Sequence, residues 1–136
     1  MRKIRKPRYL KKKRKIHFRF RSKGQSVFLT FDDGPHPEAT PYVLSELAKY
    51  NAKATFFCLG KQIVQNQEIY QRLIYEKHEI GVHGYWHKNG GKTKLRDYVN
   101  DIQKADKLIK SKIFRPPYGK ITPAQIRKIR KSYHLI

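Results

Sequence analysis

The sequence predicts an α/β fold in which helices cover a parallel sheet. Apolar, β-branched runs alternate with segments of helical apolar spacing, in the order β-α-β-α-β-α-β-α-β. A βαβ unit takes about 30 residues, so the chain holds roughly four and a half units, whereas a full eight-unit barrel needs about 250 residues. The 136 residues are therefore expected to form either an open sheet or an incomplete barrel.

Five segments are predicted to be strands. Residues 26–31 and 54–59 are continuous apolar and β-branched runs, which are typical of strands buried on both faces. Three shorter segments complete the set: residues 79–83, 113–115 and 134–136.

The first two helical segments follow the first two strands. Residues 41–50 have an apolar face, and Thr40 and Pro41 have the form of an N-cap followed by the first helical position. Residues 61–77 also carry apolar pairs at helical spacing.

The last two helical segments lie in the second half of the chain. Residues 93–110 carry an apolar stripe with Lys, Arg and Asp on the opposite face. A further helix is predicted from Pro123 to about Tyr133, and Thr122 with Gln125 has the pattern of a capping box at its start.

Composition excludes three kinds of structure. A single cysteine, Cys58, excludes a disulfide framework and a zinc cluster made of thiolates. No apolar run approaches the ~20 residues that a membrane span needs, so no transmembrane segment is expected.

Positive charge is concentrated at the N-terminus. Lys and Arg number 32 against 10 Asp and Glu, and residues 1–23 hold 13 of these bases and no acid. We therefore divide the chain into a basic N-terminal arm, residues 1–23, and a domain, residues 24–136. The arm is either a solvated segment or a contact for an anionic surface, and nothing in it reads nucleic-acid bases specifically. It has no apolar core like that of a signal peptide, so the expected location is cytoplasmic or associated with the membrane or cell envelope.

Polar residues suited to catalysis follow three of the predicted strands. Asp32 and Asp33 end the first strand, His83 and His87 end or follow the third, and Arg115 ends the fourth. The carboxyl ends of parallel strands meet at one rim, where active sites of such folds lie.

Each of these groups has an ordinary interpretation as well as a catalytic one. Asp-Asp-Gly-Pro is good turn chemistry, a lone pair of histidines is more often structural, and Arg115 could be a surface residue. Adjacent strand residues point different ways, however, which suits one metal ligand and one base at Asp32 and Asp33. Two His and one carboxylate also form a catalytic metal set that leaves positions open for water.

Three motifs together resemble a known family. Thr30 to Pro35 (Thr-Phe-Asp-Asp-Gly-Pro), His83-x-x-x-His87, and Arg115 to Gly119 (Arg-Pro-Pro-Tyr-Gly) occur in order at strand ends. They resemble the polysaccharide deacetylase family, the NodB-homology domain of carbohydrate esterase family four. The resemblance covers about Val27 to the C-terminus. It implies an incomplete, distorted (β/α) barrel with about four to five parallel strands and outer helices.

The resemblance also implies a function. Such enzymes hydrolyse acetyl groups from N-acetylated amino-sugar polymers such as peptidoglycan or chitin-like glycans, and release acetate. It implies that Asp33, His83 and His87 bind a divalent metal, most often zinc, with cobalt, nickel or manganese as alternatives.

It further assigns three roles outside the metal ligands. Asp32 would be the general base, Arg115 would orient Asp32, and the backbone N–H of Tyr118 would help hold the oxyanion.

Two departures from the family pattern keep other functions open. His83 is followed by Gly84 where the family usually has Ser or Thr. The family's catalytic acid, a His supported by an Asp-containing motif, is expected beyond Ile136. We therefore expect a truncated domain. An inactive domain that binds metal and glycan, and a basic polyanion-binding protein, remain alternatives to the deacetylase.

Overall fold

The computed structural model describes residues 26–136, and the predicted basic arm lies outside the described residues. Five parallel strands form one sheet in the order β1-β2-β3-β4-β5. The strands are β1 (Leu29–Asp32), β2 (Ala54–Cys58), β3 (Glu79–Val82), β4 (Ile113–Phe114) and β5 (His134–Leu135). The helices are α1 (Ala39–Lys49), α2 (Gly60–Gln65), α3 (Gln67–Tyr75), α4 (Leu95–Ile109) and α5 (Pro123–Ile129). The predicted α/β class and the number of parallel strands are confirmed.

The strand register brings the predicted catalytic residues to one edge of the sheet. Asp32 is paired with Phe57 across β1 and β2, and Cys58 is paired with Val82 across β2 and β3. The backbone continues this pairing past β3, because the Arg115 N–H donates to the Val82 carbonyl at 3.0 Å. The carboxyl ends of β1, β3 and β4 therefore lie at the same edge of the sheet, with β2 between β1 and β3.

The prediction that the first strand is buried on both faces is wrong. Leu29 is 41% exposed, and Phe31 is the one residue of β1 that is partly buried. Among the described residues β1 pairs only with β2, whereas β2 has a strand on each side and is almost fully buried. An apolar run indicates a strand, but the position of that strand in the sheet decides how much of it is covered.

The first helix begins one residue before the predicted N-cap. Thr40 lies inside α1, and its Oγ1 accepts a hydrogen bond from the His36 N–H at 2.8 Å. The imidazole Nδ1 of His36 accepts from the N–H groups of Glu38 and Ala39, both at 3.2 Å. The His36 side chain thus accepts from the N–H groups at the start of α1, the role predicted for the Thr40 hydroxyl. The Thr40 hydroxyl instead binds the backbone of His36.

The predicted helical segment 61–77 is two helices. Asn66 has φ −132° and ψ 53° and separates α2 from α3. Its side-chain amide donates to the carbonyls of Pro35 and Gln62, both at 3.1 Å. An Asn side chain that bonds to nearby backbone competes with helix continuation, which explains the break.

The last helix starts as predicted and ends early. Thr122 Oγ1 accepts from the Gln125 N–H, and the Gln125 side chain accepts from the Thr122 N–H, so the capping box is confirmed. The helix ends at Ile129, because a turn at residues 130–132 leads toward β5.

The core has two apolar clusters along the sheet. One joins Leu44 and Leu47 of α1 to Phe56 of β2 and Leu73 of α3. The other joins β3, β4 and β5 to α4 and α5, and its buried members are Val82, Tyr98, Ile102, Ala105, Phe114, Ile126, Ile129, Tyr133 and Leu135. None of the helices in residues 26–136 combines the length and the apolar character needed to cross a bilayer.

Candidate active site

Three of the predicted residues converge at the carboxyl edge of the sheet. The Asp33 carboxylate Oδ1 lies 3.4 Å from Nε2 of His83 and 3.1 Å from Nε2 of His87. One ligand atom from each residue lies within 4.8 Å of the others. The two imidazole rings stand 5.1 Å apart between centroids.

This arrangement fits a divalent metal ion. Bonds of about 2.0–2.1 Å in a tetrahedral zinc site place neighbouring ligand atoms roughly 3.3 Å apart. The two Asp33–His distances, 3.1 and 3.4 Å, agree with that spacing. The donor set of two imidazoles and one carboxylate is also one that zinc and similar cations accept.

The backbone turns that aim these side chains are unusual. Asp33 has φ +70° and His87 has φ +57°, both in the left-handed region that non-glycine residues adopt rarely. The turn at Asp33 directs its carboxylate toward the imidazoles, while Asp32, still in β1, faces Arg115. Backbone strain of this kind persists only where the surrounding structure maintains it.

His83 is the buried ligand candidate. It is 3% exposed, and its Nδ1 lies 2.7 Å from the carbonyl oxygen of Arg115. Because that carbonyl can only accept, Nδ1 carries the proton and the lone pair is left on Nε2, toward Asp33. Burial lowers the pKa of His83, although the nearby Asp32 carboxylate opposes the shift. The resulting neutral imidazole is the form that binds a metal.

Arg115 holds Asp32 beside the cluster. Its Nη1 donates to Asp32 Oδ1 at 2.8 Å and to Thr30 Oγ1 at 2.9 Å. The guanidinium also lies over the Phe57 ring, 4.1 Å from the ring centroid. The bond to Thr30 and the ring contact thus hold the guanidinium in place, and its second hydrogen bond holds the Asp32 carboxylate.

Tyr118 lies on the other side of His87. The two rings are 4.4 Å apart between centroids, and Tyr118 is 62% exposed. Its φ of +57° interrupts the short turn Pro117–Gly119, which begins at the second residue of the double proline. The structure therefore places the Tyr118 ring next to His87.

A cavity adjoins the two aspartates on the α1 side. Its volume is about 310 Å³, and Asp32 and Asp33 form part of its wall. The remaining lining residues are Phe31, Gly34, His36, Ala39, Thr40, Val43, Phe56 and Gln62. The two aspartates are therefore adjacent to a space that can hold a small group.

Two contributors were not predicted from the sequence. Thr30 is a partner of Arg115, and Asp101 of α4 accepts hydrogen bonds from the loop that carries the histidines. Asp101 is buried, so the prediction that acidic residues of this helix lie on its exposed face is wrong at this position. Its spacing from Tyr98 and Ala105, three and four residues away, places all three on the buried face.

A family model described as polysaccharide deacetylase matches residues 20–135 of the sequence. The chain belongs to the polysaccharide deacetylase family. A curated member of that family, a peptidoglycan-N-acetylglucosamine deacetylase of Bacillus cereus, is 41% identical over 107 residues, which are 74% of this chain and 39% of the relative.

Solved structures of polysaccharide deacetylases agree with the fold. A peptidoglycan N-acetylglucosamine deacetylase in complex with 4-naphthalen-1-yl-N-oxidanyl-benzamide is 36% identical, has a TM-score of 0.77, and matches 79% of this chain and 54% of its own. A Bacillus anthracis protein described as a carbohydrate esterase family four pseudoenzyme is 26% identical, with a TM-score of 0.73 over 80% of this chain and 41% of its own. The chain thus spans about half, or less, of the length of these relatives.

Proposed function

We propose that this chain carries the metal site and the base of a hydrolytic N-deacetylase that acts on an N-acetylated amino-sugar polymer. The observation that supports this proposal is that two adjacent carboxylates, Asp32 and Asp33, point in different directions. Asp33 lies 3.1 and 3.4 Å from two imidazole nitrogens, while Asp32 is held by Arg115 at 2.8 Å. One carboxylate is thereby available as a ligand and the other as a base.

Asp33, His83 and His87 would hold the metal ion, and zinc is the ion that we propose. When bound, a divalent cation supplies Lewis acidity, which polarises the acetyl carbonyl and lowers the pKa of water. The three side chains supply two neutral nitrogens and one negative oxygen, so part of the cation's charge remains available to a substrate oxygen.

The other residues have roles in proton transfer and charge stabilisation. Asp32 would accept the proton that water loses as its oxygen bonds to the carbonyl carbon. Arg115 would keep the Asp32 carboxylate aimed at that water, and the Tyr118 N–H would donate to the oxyanion that forms. The proton held on Asp32 would pass to the sugar nitrogen as the carbon–nitrogen bond breaks, which releases acetate and leaves a free amine on the sugar.

The substrate that we propose is peptidoglycan. The relative that is 41% identical is named as a peptidoglycan-N-acetylglucosamine deacetylase. The basic arm supports the same choice, since 13 Lys and Arg in residues 1–23 would be attracted to anionic polymers of a cell envelope. A cell-envelope location is accordingly part of this proposal.

Acetate release tests the proposal. The full chain, stripped of metal and then supplied with zinc, should release acetate from peptidoglycan fragments, and the metal-free protein should not. Asp32→Asn should abolish release while zinc binding persists. The matched control is Asp97→Asn, because Asp97 is a partly exposed acid of α4 whose ion-pair partner is Arg96. Activity that survives Asp32→Asn would refute the assignment of the base.

A second candidate is binding of metal and glycan without turnover. The similarity to a protein described as a pseudoenzyme favours keeping this candidate in the experiment. Zinc uptake at one ion per chain and retention on insoluble peptidoglycan, without acetate release from peptidoglycan or chitooligosaccharide, would establish it. Release from chitooligosaccharide alone would instead identify a chitin-like substrate.

A further inference from the structure

The loop from His83 to His87 is fixed by a group outside the three motifs. Its two outer residues are the ligand candidates, and three residues separate them. Gly84 has φ +84° and His87 has φ +57°, so the loop does not have the helical geometry that would itself set a fixed spacing between the imidazoles. Something beyond the loop must therefore set that spacing.

The carboxylate of Asp101 binds the middle of this loop. Its Oδ2 accepts from the Tyr85 N–H at 2.9 Å, and its Oδ1 accepts from the Trp86 N–H at 3.1 Å. Asp101 is only 5% exposed, and it projects from α4, whose position is set by core packing. Hydrogen bonds to a buried carboxylate are charge-assisted and stronger than neutral ones.

Gly84 makes room for this carboxylate. A Cβ at position 84 would lie 2.7 Å from Asp101 Oδ2, closer than a real side chain tolerates. The φ of Gly84 is also one that residues with a side chain adopt rarely. The glycine that departs from the family pattern is thus explained by the acid that occupies the adjoining space.

The charge of Asp101 also affects the pKa of the neighbouring Tyr98. Burial raises the pKa of the Tyr98 hydroxyl, and the Asp101 carboxylate raises it further. A negative charge held in the core in this way costs free energy unless it is hydrogen-bonded. The two loop N–H groups supply that compensation, so the loop and the carboxylate stabilise each other.

We propose that Asp101 is a positioning residue for the metal site: it fixes the loop so that His83 and His87 both face Asp33. This inference rests on the proposed function for the identity of the site. Outer groups that orient metal ligands typically change metal affinity 10- to 100-fold when they are removed. Asp101 does not contact the two histidine side chains through these hydrogen bonds; it binds the backbone between His83 and His87.

The test compares Asp101→Asn with Asp106→Asn. Asp106 lies on the same helix and accepts from the Tyr133 hydroxyl and the Ser111 N–H, away from the histidine loop. Both variants lose a carboxylate that accepts two hydrogen bonds, so a general loss of stability affects both. An Asn at position 101 can accept from one loop N–H and presents its own N–H₂ to the other.

Two readouts are measured on the full chain. In the metal-free protein, hydrogen exchange should show loss of protection at the Tyr85 and Trp86 amides in Asp101→Asn alone. Emission from Trp86, the single tryptophan, should shift in the same variant. Zinc titration should then show about tenfold weaker binding for Asp101→Asn and unchanged binding for Asp106→Asn.

Retained protection of the two amides, or equal zinc affinity in Asp101→Asn and Asp106→Asn, would overturn the inference. If Asp101→Asn does not fold, Gly84→Ala tests the same contact by a change in the loop. The Cβ of Ala at position 84 would displace Asp101 Oδ2 and so disturb its hydrogen bonds to the loop. Unchanged exchange and zinc affinity in Gly84→Ala would likewise overturn it. A wild-type chain that binds no zinc would refute the proposed function, and the exchange data would still decide whether Asp101 fixes the loop.

Discussion

The main-chain carbonyl oxygen of Arg115 lies 2.7 Å from Nδ1 of His83. The side chain of the same arginine donates to Asp32 at 2.8 Å. One residue at the end of β4 therefore orients a ligand candidate through its backbone and the proposed base through its guanidinium. Its two roles can be separated by mutation, because a substitution changes the side chain and leaves the carbonyl in place.

Arg115→Ala is expected to lower the rate of acetate release about 100-fold, since misplacement of a catalytic group by about 1 Å has an effect of that size. Zinc binding should be retained, because the carbonyl that orients His83 remains. The measurements are acetate release at saturating zinc and zinc content after dialysis. Arg127→Ala, at an exposed position of α5, is the control and should alter neither. A parallel loss of zinc in Arg115→Ala would contradict the separation of roles.

His87→Ala should reduce zinc uptake, whereas His36→Ala should reduce stability and leave zinc uptake unchanged. His87 lies 3.1 Å from Asp33, so its removal should reduce zinc uptake from one ion per chain to a small fraction. His36 accepts two N–H groups at the start of α1, so its removal should lower the free energy of unfolding by about 1 kcal/mol and leave zinc uptake intact. Metal titration and urea unfolding distinguish the two. Loss of zinc in His36→Ala would place that histidine in the site.

Much of the fold could be predicted because local patterns report it. Apolar runs, helical spacing and the Thr122–Gln125 capping box depend on residues close in sequence, and each of these elements is present. The exposure of β1 and the role of Thr40 could not be predicted in the same way. They depend on which strand lies beside β1 and on a histidine that caps α1 from outside the helix.

The candidate site shows the same division. The positions of Asp33, His83 and His87 at strand ends could be read from the sequence, and the structure brings them together. Asp101 lies 14 residues beyond His87, in a helix rich in charged residues, and its residue type does not distinguish it from the exposed acids. Its burial arises from the packing of α4, which a helical spacing argument from Tyr98 could have detected.

His78 is expected to make stability depend on pH. Its ring is buried, its Nδ1 accepts from the Ala54 N–H at 3.3 Å, and burial together with Lys53 lowers its pKa, which Glu76 opposes. A group whose pKa is lower in the folded state contributes stability that is complete above its unfolded pKa, about 6.5, and is lost as the pH falls. Urea unfolding of the metal-free protein should therefore show a decline between pH 7 and pH 5.

His78→Asn isolates that contribution, because an amide oxygen can accept from Ala54 but does not titrate. Its unfolding free energy should fall less steeply over the same range than that of the wild type. The remaining slope reports the other titrating groups, which both proteins share. Identical slopes in the two proteins would show that His78 does not carry the effect.

Cys58 should be inert to thiol reagents in the folded protein. It has no exposed surface, and burial raises its pKa to about 12. At pH 8 the reactive thiolate is then on the order of one molecule in ten thousand, even before access is considered. Because the Cys58 carbonyl also accepts from the His83 N–H at 3.0 Å, the end of β2 is part of the framework that carries the site. An Ellman titration should find no thiol in the native chain and one in 6 M guanidinium; rapid native labelling would show that this end of the sheet opens.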